Sequence, residues 1–210
     1  MKRRTLMQLV LASGSSGRKM LMQRLQIPFV CVVPDIDESI HLDEDQESLV
    51  MRLARAKAEK VKTQLQQNKK QQGQEEPSLI IAADQIASIG QTILNKPGTR
   101  ARAKKQLEAI SGQQVTFITG LCVLHQKTST RYEILSPYTV RFRVLGTKLI
   151  DAYLDKEQPY QCAGSFKSEG LGIVLVRYFK GDDPSSLIGL PLTHLTSILT
   201  TEGINILPAL

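Results

Sequence analysis

The chain has 210 residues, 41% of them apolar and 22% charged, enough to bury a core without staples and with no run near the roughly 18 apolar residues of a membrane span. Cys31, Cys122 and Cys162 are odd in number and far apart, which speaks against a disulfide or zinc framework and predicts a cytoplasmic setting. The formal charge is +7, but residues 52–72 hold seven basic residues against Glu59 alone, so the excess reads as one solvated helix face and no nucleic-acid partner is expected.

Met1-Lys2-Arg3-Arg4 is basic, yet no apolar h-region follows, so it does not read as a secretory leader. Gln8–Ala12 is a short apolar run and predicts a buried strand, stopped by the small residues Ser13 to Gly17. A helix is expected next, with Met20, Leu21 and Leu25 on one face. Phe29 to Val33 reads as a second strand closed by Pro34, and the acidic loop Asp35-Ile36-Asp37-Glu38 follows. From Ser48 to about Gln67, Val50, Leu53, Ala54, Val61 and Leu65 recur at helical spacing. The Gln- and Lys-rich tract from Gln66 to Glu76 reads as a frayed end and exposed loop.

Leu79 to Ala83 predicts a strand ending at Asp84-Gln85. Gly90-Gln91 reads as a hairpin turn before Ile93-Leu94, and Thr99 as the cap of a helix reaching Ile110, ended by Ser111-Gly112. Val115–Leu124 and Ile134–Val144 predict a long antiparallel hairpin. A helix from Thr147 to about Asp155, a strand at Ile173–Val176 and a helix from about Pro191 to Thr200 complete the pattern. Helices alternate with strands early and an antiparallel pair comes late, so a mixed sheet flanked by helices is expected.

Six features carry possible chemistry. At Ser13-Gly14-Ser15-Ser16-Gly17-Arg18-Lys19, small residues, a helix start and two cations outline a phosphate cradle. The segment reads equally well as an ordinary capped helix start, and it is not a Walker A loop. Lys57 falls within the apolar stripe of its helix, so it either snorkels or reaches inward to an anion. Asp84 is read at the carboxyl end of an apolar strand, where α/β sheets place ligands; a turn aspartate is the plain alternative. Glu38, with Asp35 and Asp37, supplies carboxylates that suit a hard cation beside phosphates, though alone they would read as surface solvation. In Gly164-Ser165-Phe166-Lys167-Ser168-Glu169-Gly170, an extended backbone would aim Lys167 and Glu169 the same way. Lys96, in Asn95-Lys96-Pro97, is a weaker candidate. His41, His125 and His194 share no metal-like spacing, and no G-x-S-x-G elbow is present.

Taken together, these blocks resemble the Maf family. Residues 9–19, Pro34 to Glu38, Arg52 to Ala58, Ala83-Asp84-Gln85, Lys96-Pro97, Ser111-Gly112, Thr119-Gly120, Ala163 to Gly170 and Gly189-Leu190-Pro191 keep the family's order over about residues 8 to 206. The resemblance implies one Maf-like (ITPase-like) α/β domain over 1–210: a mixed, partly antiparallel sheet flanked by helices, in two lobes around a central cleft. It implies hydrolysis of a nucleoside triphosphate between the α and β phosphates, with a divalent cation (Mg²⁺ or Mn²⁺), and by family likeness a homodimer. By that likeness Asp84 accepts the proton of the attacking water, and Glu38 and Asp84 hold the metal. Ser13, Arg18, Lys19, Lys57, Lys96 and Lys167 meet phosphates, and Gly17, Gln85 and Glu169 sit where the family distinguishes bases.

Asp84-Gln85 with Cys162 to Gly170 is similar to the subfamily acting on 7-methyl-GTP, whose cationic base suits a nearby carboxylate. The dTTP/UTP subfamily, the pyrophosphatases of non-canonical purines such as ITP, and a nucleotide-binding regulator of septum formation are the alternatives. Three departures stand out: Lys19 where a second arginine is usual, Gly17 where an aromatic often stands, and Ala83 where a serine commonly precedes the aspartate. At position 19 the lysine forfeits the bidentate fork.

Overall fold

The computed structural model describes residues 7–72 and 77–207. The basic start Met1 to Leu6 and positions 73–76 of the Gln-rich tract lie outside the described residues. In chain order the elements are β1 (Gln8–Ala12), α1 (Ser16–Arg24), β2 (Val30–Val32), α2 (Gln46–Gln72), β3 (Ser78–Ile89), β4 (Thr92–Ile93) and α3 (Arg100–Ile110). Then come β5 (Gln114–His125), β6 (Arg131–Phe142), α4 (Thr147–Glu157), β7 (Val176–Lys180) and α5 (Leu192–Thr201). The seven strands form one sheet, ordered β2-β1-β3-β5-β6-β7, with β4 paired to β3. β1 pairs in parallel with β2 and β3, while β4 on β3 and β7 on β6 are antiparallel. This is the mixed α/β sheet with flanking helices that the sequence pattern predicts. Among the described residues no helix is long and apolar enough to cross a membrane.

The chain divides into two compact units. The first comprises Met1–Asp84, Gly120–Leu135 and Gly189–Leu210, and the second Gln85–Thr119 and Ser136–Ile188. In the first unit, Val10 and Ala12 of β1, Ile80 and Ala82 of β3, and Cys122 and Leu124 of β5 obey the two-residue period of a strand. They bury against Ala54, Ala58 and Val61 of α2. Gly120 lets the backbones approach: a Cβ there would stand 2.8 Å from the Val50 carbonyl oxygen. In the second unit the core is aromatic, with Phe166 tilted on Phe117 at 5.7 Å and edge-on to Phe142 at 5.2 Å.

Several expectations are corrected. Met20 and Leu25 are only half-buried, and Leu21 and Met22 form the inner face of α1. The Ser13–Gly17 loop is shorter than it looks, because Ser15 caps α1 and Ser16 and Gly17 already belong to it. β3 does not stop at Asp84-Gln85: Ile86, Ala87 and Ser88 continue the buried pattern to Ile89. Ile173 and Val174 are 53% and 44% exposed in a 3-10 turn over Leu171–Leu175, and the strand begins only at Val176. Gly172 permits that turn: its N–H donates to the Lys167 carbonyl at 3.2 Å, and a Cβ there would meet the same oxygen. Lys167 to Gly170 is likewise not extended but enters a turn at Ser168.

Candidate active site

In the first unit the site begins where β1 ends. Ser13 is buried, and its Oγ accepts from the Ser15 N–H at 3.1 Å and from Arg18 Nη1 at 3.5 Å. The Ser15 hydroxyl accepts from the Arg18 N–H at 3.3 Å, which is the N-cap bond of α1. The local bonds are thereby spent on Ser15, Arg18 and Lys19, and the N–H groups of Ser16 and Gly17, in the first turn of the helix, have no partner among the described residues. Two such donors with the positive end of the helix dipole suit an anion. Arg18 is held from the far end of the chain: Nε donates to the Gly189 carbonyl at 2.8 Å. Gly189 sits at φ +105°, and a Cβ there would crowd Arg18 Nε at 3.2 Å. The block containing Gly189 is visible in the sequence, but its task of anchoring Arg18 is not.

Lys57 lies between Ala54 and Ala58 on the buried face of α2 and is 6% exposed. Its ammonium donates to Asp84 Oδ1 at 2.6 Å and meets Glu38 Oε1 at 2.7 Å. Asp84 is 7% exposed and lies in mid-strand, three residues beyond Ile81, the last β3 residue paired with β1. It therefore still stands past the carboxyl end of the parallel segment, the position that open α/β sheets use for ligands. Burial lowers the pKa of the Arg18 guanidinium, and the carboxylates of Asp84 and Glu38 act to raise it. Arg18, Lys57, Asp84 and Glu38 thus share one electrostatic neighbourhood, with two positive and two negative groups. Lys19 is exposed on the helix surface. Among the described residues no group of three His, Cys, Asp or Glu could hold a metal by itself.

The remaining candidates belong to the second unit. Gln85 Nε2 donates to Thr119 Oγ1 at 2.9 Å and to the Ser186 carbonyl at 2.5 Å. The carbonyl can only accept, which fixes the amide orientation, and the Thr119 hydroxyl donates to the same carbonyl at 2.9 Å. Both Gln85 N–H groups are consumed, so Oε1 is the atom presented as an acceptor. Ser186 was not legible from sequence as a partner. Lys96 is exposed and forms no ion pair among the described residues.

Lys167 is anchored rather than free. Its ammonium meets Glu157 Oε1 at 2.6 Å, and Glu157 Oε2 accepts the Leu171 N–H at 2.6 Å. Burial acts to raise the Glu157 pKa, but the Lys167 ammonium and that N–H outweigh it and hold the carboxylate below its ordinary range. The Tyr153 hydroxyl accepts the Lys167 N–H at 3.1 Å and donates to the Ser165 carbonyl at 3.2 Å. Glu169 is exposed on the turn that follows. Lys167 and Glu169 therefore do not project from one extended strand as expected, although Phe166 does root their segment in the core.

The other polar candidates have structural tasks. His125 Nδ1 accepts from the Lys127 and Thr128 N–H groups at 3.2 Å each, closing the turn before β6. Burial pushes the Cys122 thiol up to about 12, which removes it as a nucleophile. The basic strip of α2 is largely neutralised: Arg52 pairs with Glu44, Arg55 with Glu133, and Lys62 with Glu59.

The profile of the family described as Maf-like protein matches residues 8–202. A 7-methyl-GTP pyrophosphatase of Alcanivorax borkumensis is 47% identical over 198 residues, covering 94% of this chain and 95% of that protein. One from Nitrosococcus oceani is 48% identical over 200 residues, 95% of each chain. One from Vibrio cholerae serotype O1 is 43% identical over 200 residues, 95% of this chain and 98% of its own. The match runs from the first residue of β1 to the end of α5, so the chain belongs to the Maf family.

Proposed function

We propose that the chain is a nucleoside triphosphate pyrophosphatase that hydrolyses 7-methyl-GTP to 7-methyl-GMP and pyrophosphate. One observation carries the chemistry: a buried lysine gathers two carboxylates beside a half-buried arginine at a helix N-terminus. The names of the relatives support the substrate.

In this reading the Ser16 and Gly17 N–H groups and Arg18 receive phosphate oxygens, with Ser13 and Gly189 fixing the angle of the guanidinium. Lys57 orients Asp84 through Oδ1, and Oδ2 receives no hydrogen bond from the described residues. Oδ2 is the atom that accepts the proton of the water attacking the inner anhydride. Phosphoanhydride cleavage depends on neutralising charge more than on covalent help. The four charged groups around Lys57 sum to zero before a nucleotide arrives, so a triphosphate needs further positive charge. Glu38 and Asp84 both meet the Lys57 ammonium and so lie close together, and two neighbouring carboxylates completed by substrate oxygens are a donor set that fits Mg²⁺ or Mn²⁺. When bound there, the ion supplies charge to the phosphates. Lys96 and Lys167 add cations, and Gln85 Oε1 offers an acceptor to the N–H edge of a guanine. Glu169 contributes negative charge suited to a methylated, cationic ring.

The test is a screen of 7-methyl-GTP, GTP, dTTP, UTP and ITP with Mg²⁺, separating monophosphate plus pyrophosphate from diphosphate plus phosphate. 7-Methyl-GTP is expected to give the highest kcat/KM, with pyrophosphate as product. Preference for dTTP or UTP would overturn the substrate, and release of single phosphate would overturn the reaction.

A further inference from the structure

The segment between β2 and α2 has no regular structure, and each residue from Asp37 to Asp43 is exposed. Apolar side chains hold it little around and beyond Glu38: Pro34 and Ile36 are half-buried, but Ile40 and Leu42 are 53% and 94% exposed. Yet Glu38, in its middle, meets the buried Lys57 at 2.7 Å. Ordering an exposed loop costs conformational entropy that burial does not offset here.

Polar ties supply the order, and Arg52 of α2 is their centre. Its Nε donates to Glu44 Oε1 at 2.6 Å and its Nη2 to Glu44 Oε2 at 2.7 Å. The same Nη2 donates to the carbonyl of Ser39, the residue after Glu38, at 2.9 Å. Glu44 also accepts the His41 N–H at 3.2 Å and returns its own N–H to the His41 carbonyl at 3.3 Å. Before Glu38, Asp37 accepts from the Ser39 N–H at 2.9 Å and hydroxyl at 3.0 Å. A planar guanidinium reaches three acceptors at once; an ammonium cannot reproduce that fork.

We propose that Arg52 and Glu44 form a positioning clamp that ties the backbone next to Glu38 to the helix carrying Lys57, and so sets where the Glu38 carboxylate meets a divalent cation. The consequence for the metal rests on the function proposed above; the clamp itself rests on geometry alone. Groups that orient a metal ligand typically change affinity by 10–100-fold when altered.

The test uses the full chain as Arg52→Lys and Glu44→Gln, with Glu38→Gln as reference. Binding of Mn²⁺ alone is followed by its electron paramagnetic resonance signal, and amide exchange is followed across residues 38–44. Arg52→Lys is expected to weaken Mn²⁺ binding on the order of tenfold, in the same direction as Glu38→Gln. Exchange should accelerate at 38–44 while α2 keeps its protection. Unchanged exchange in both clamp variants would overturn the proposal, as would unchanged Mn²⁺ affinity in Arg52→Lys where Glu38→Gln loses it. Equal Mn²⁺ binding by wild type and Glu38→Gln would instead remove Glu38 from the metal role, a failure of the functional reading that the exchange rates distinguish.

Discussion

Replacing Lys57 with methionine keeps an unbranched, uncharged stem out to Cε, with sulfur at the δ position, and removes the ammonium. Two contacts are lost, and they are unequal. The Glu38 side chain is 56% exposed, so that arm is screened by water and contributes little, typically 0–1 kcal/mol. Asp84 is 7% exposed and sits mid-strand, so its carboxylate is left buried without its 2.6 Å partner. Breaking a buried pair from one side costs about 3–5 kcal/mol. The lower end applies here, because the Arg18 guanidinium still interacts electrostatically with Asp84. For a chain of this size about 3 kcal/mol lowers the melting midpoint by roughly 6–12 °C. The assay is a double-mutant cycle by differential scanning calorimetry at pH 7 on wild type, Lys57→Met, Asp84→Asn and the pair. The double variant should be more stable than Lys57→Met, since asparagine carries no charge to strand. A Lys57→Met midpoint within 1 °C of wild type on this roughly 6–12 °C scale, or a double variant no better than the single, would refute the reasoning.

Other consequences follow from single contacts. Arg52 brings the Glu44 pKa from 4.5 down to about 2, so this carboxylate contributes stability that is present above its unfolded value and is lost as pH falls toward 2. Amide protection at residues 39–44, corrected for intrinsic exchange, should therefore be the same at pH 7 and pH 5. With Cys122 pushed up to about 12 and Cys31 exposed, Ellman's reagent at pH 8 should label Cys31 first and leave Cys122 untouched until unfolding, as peptide mapping would show. Gly120→Ala drives a Cβ to within 2.8 Å of the Val50 carbonyl oxygen, and urea denaturation should show a loss of about 1–3 kcal/mol. Thr119→Val removes the acceptor of one Gln85 N–H and frees the amide to turn, so discrimination between 7-methyl-GTP and dTTP should narrow while Thr119→Ser retains it.

Elements with strong local chemistry were legible in the sequence. Thr99 caps α3 through the Arg102 N–H, Gly90 turns the β3–β4 hairpin at φ +53°, and Pro191 precedes α5. Lys57 betrayed itself because a charge within an apolar stripe needs a partner. What failed was local chemistry overruled by tertiary packing. Asp84-Gln85 looks like a strand end, but Asp84 is satisfied by Lys57, 27 residues earlier, and Gln85 by Thr119 and Ser186, so the strand runs on. Ile173-Val174 has strand propensity, yet these residues lie in a 3-10 turn in which Gly172 packs against the Lys167 carbonyl. The anchoring of Arg18 by Gly189 joins residues 171 positions apart, a relation no local pattern carries.

Asp84→Asn tests the central claim most directly, with 7-methyl-GTP at saturation, Mg²⁺ present and pyrophosphate release followed alongside nucleotide binding. Losing a positioned base should lower kcat by ~10²-fold or more while the nucleotide still binds. An Asp84→Asn enzyme that releases pyrophosphate at the wild-type rate would contradict the account.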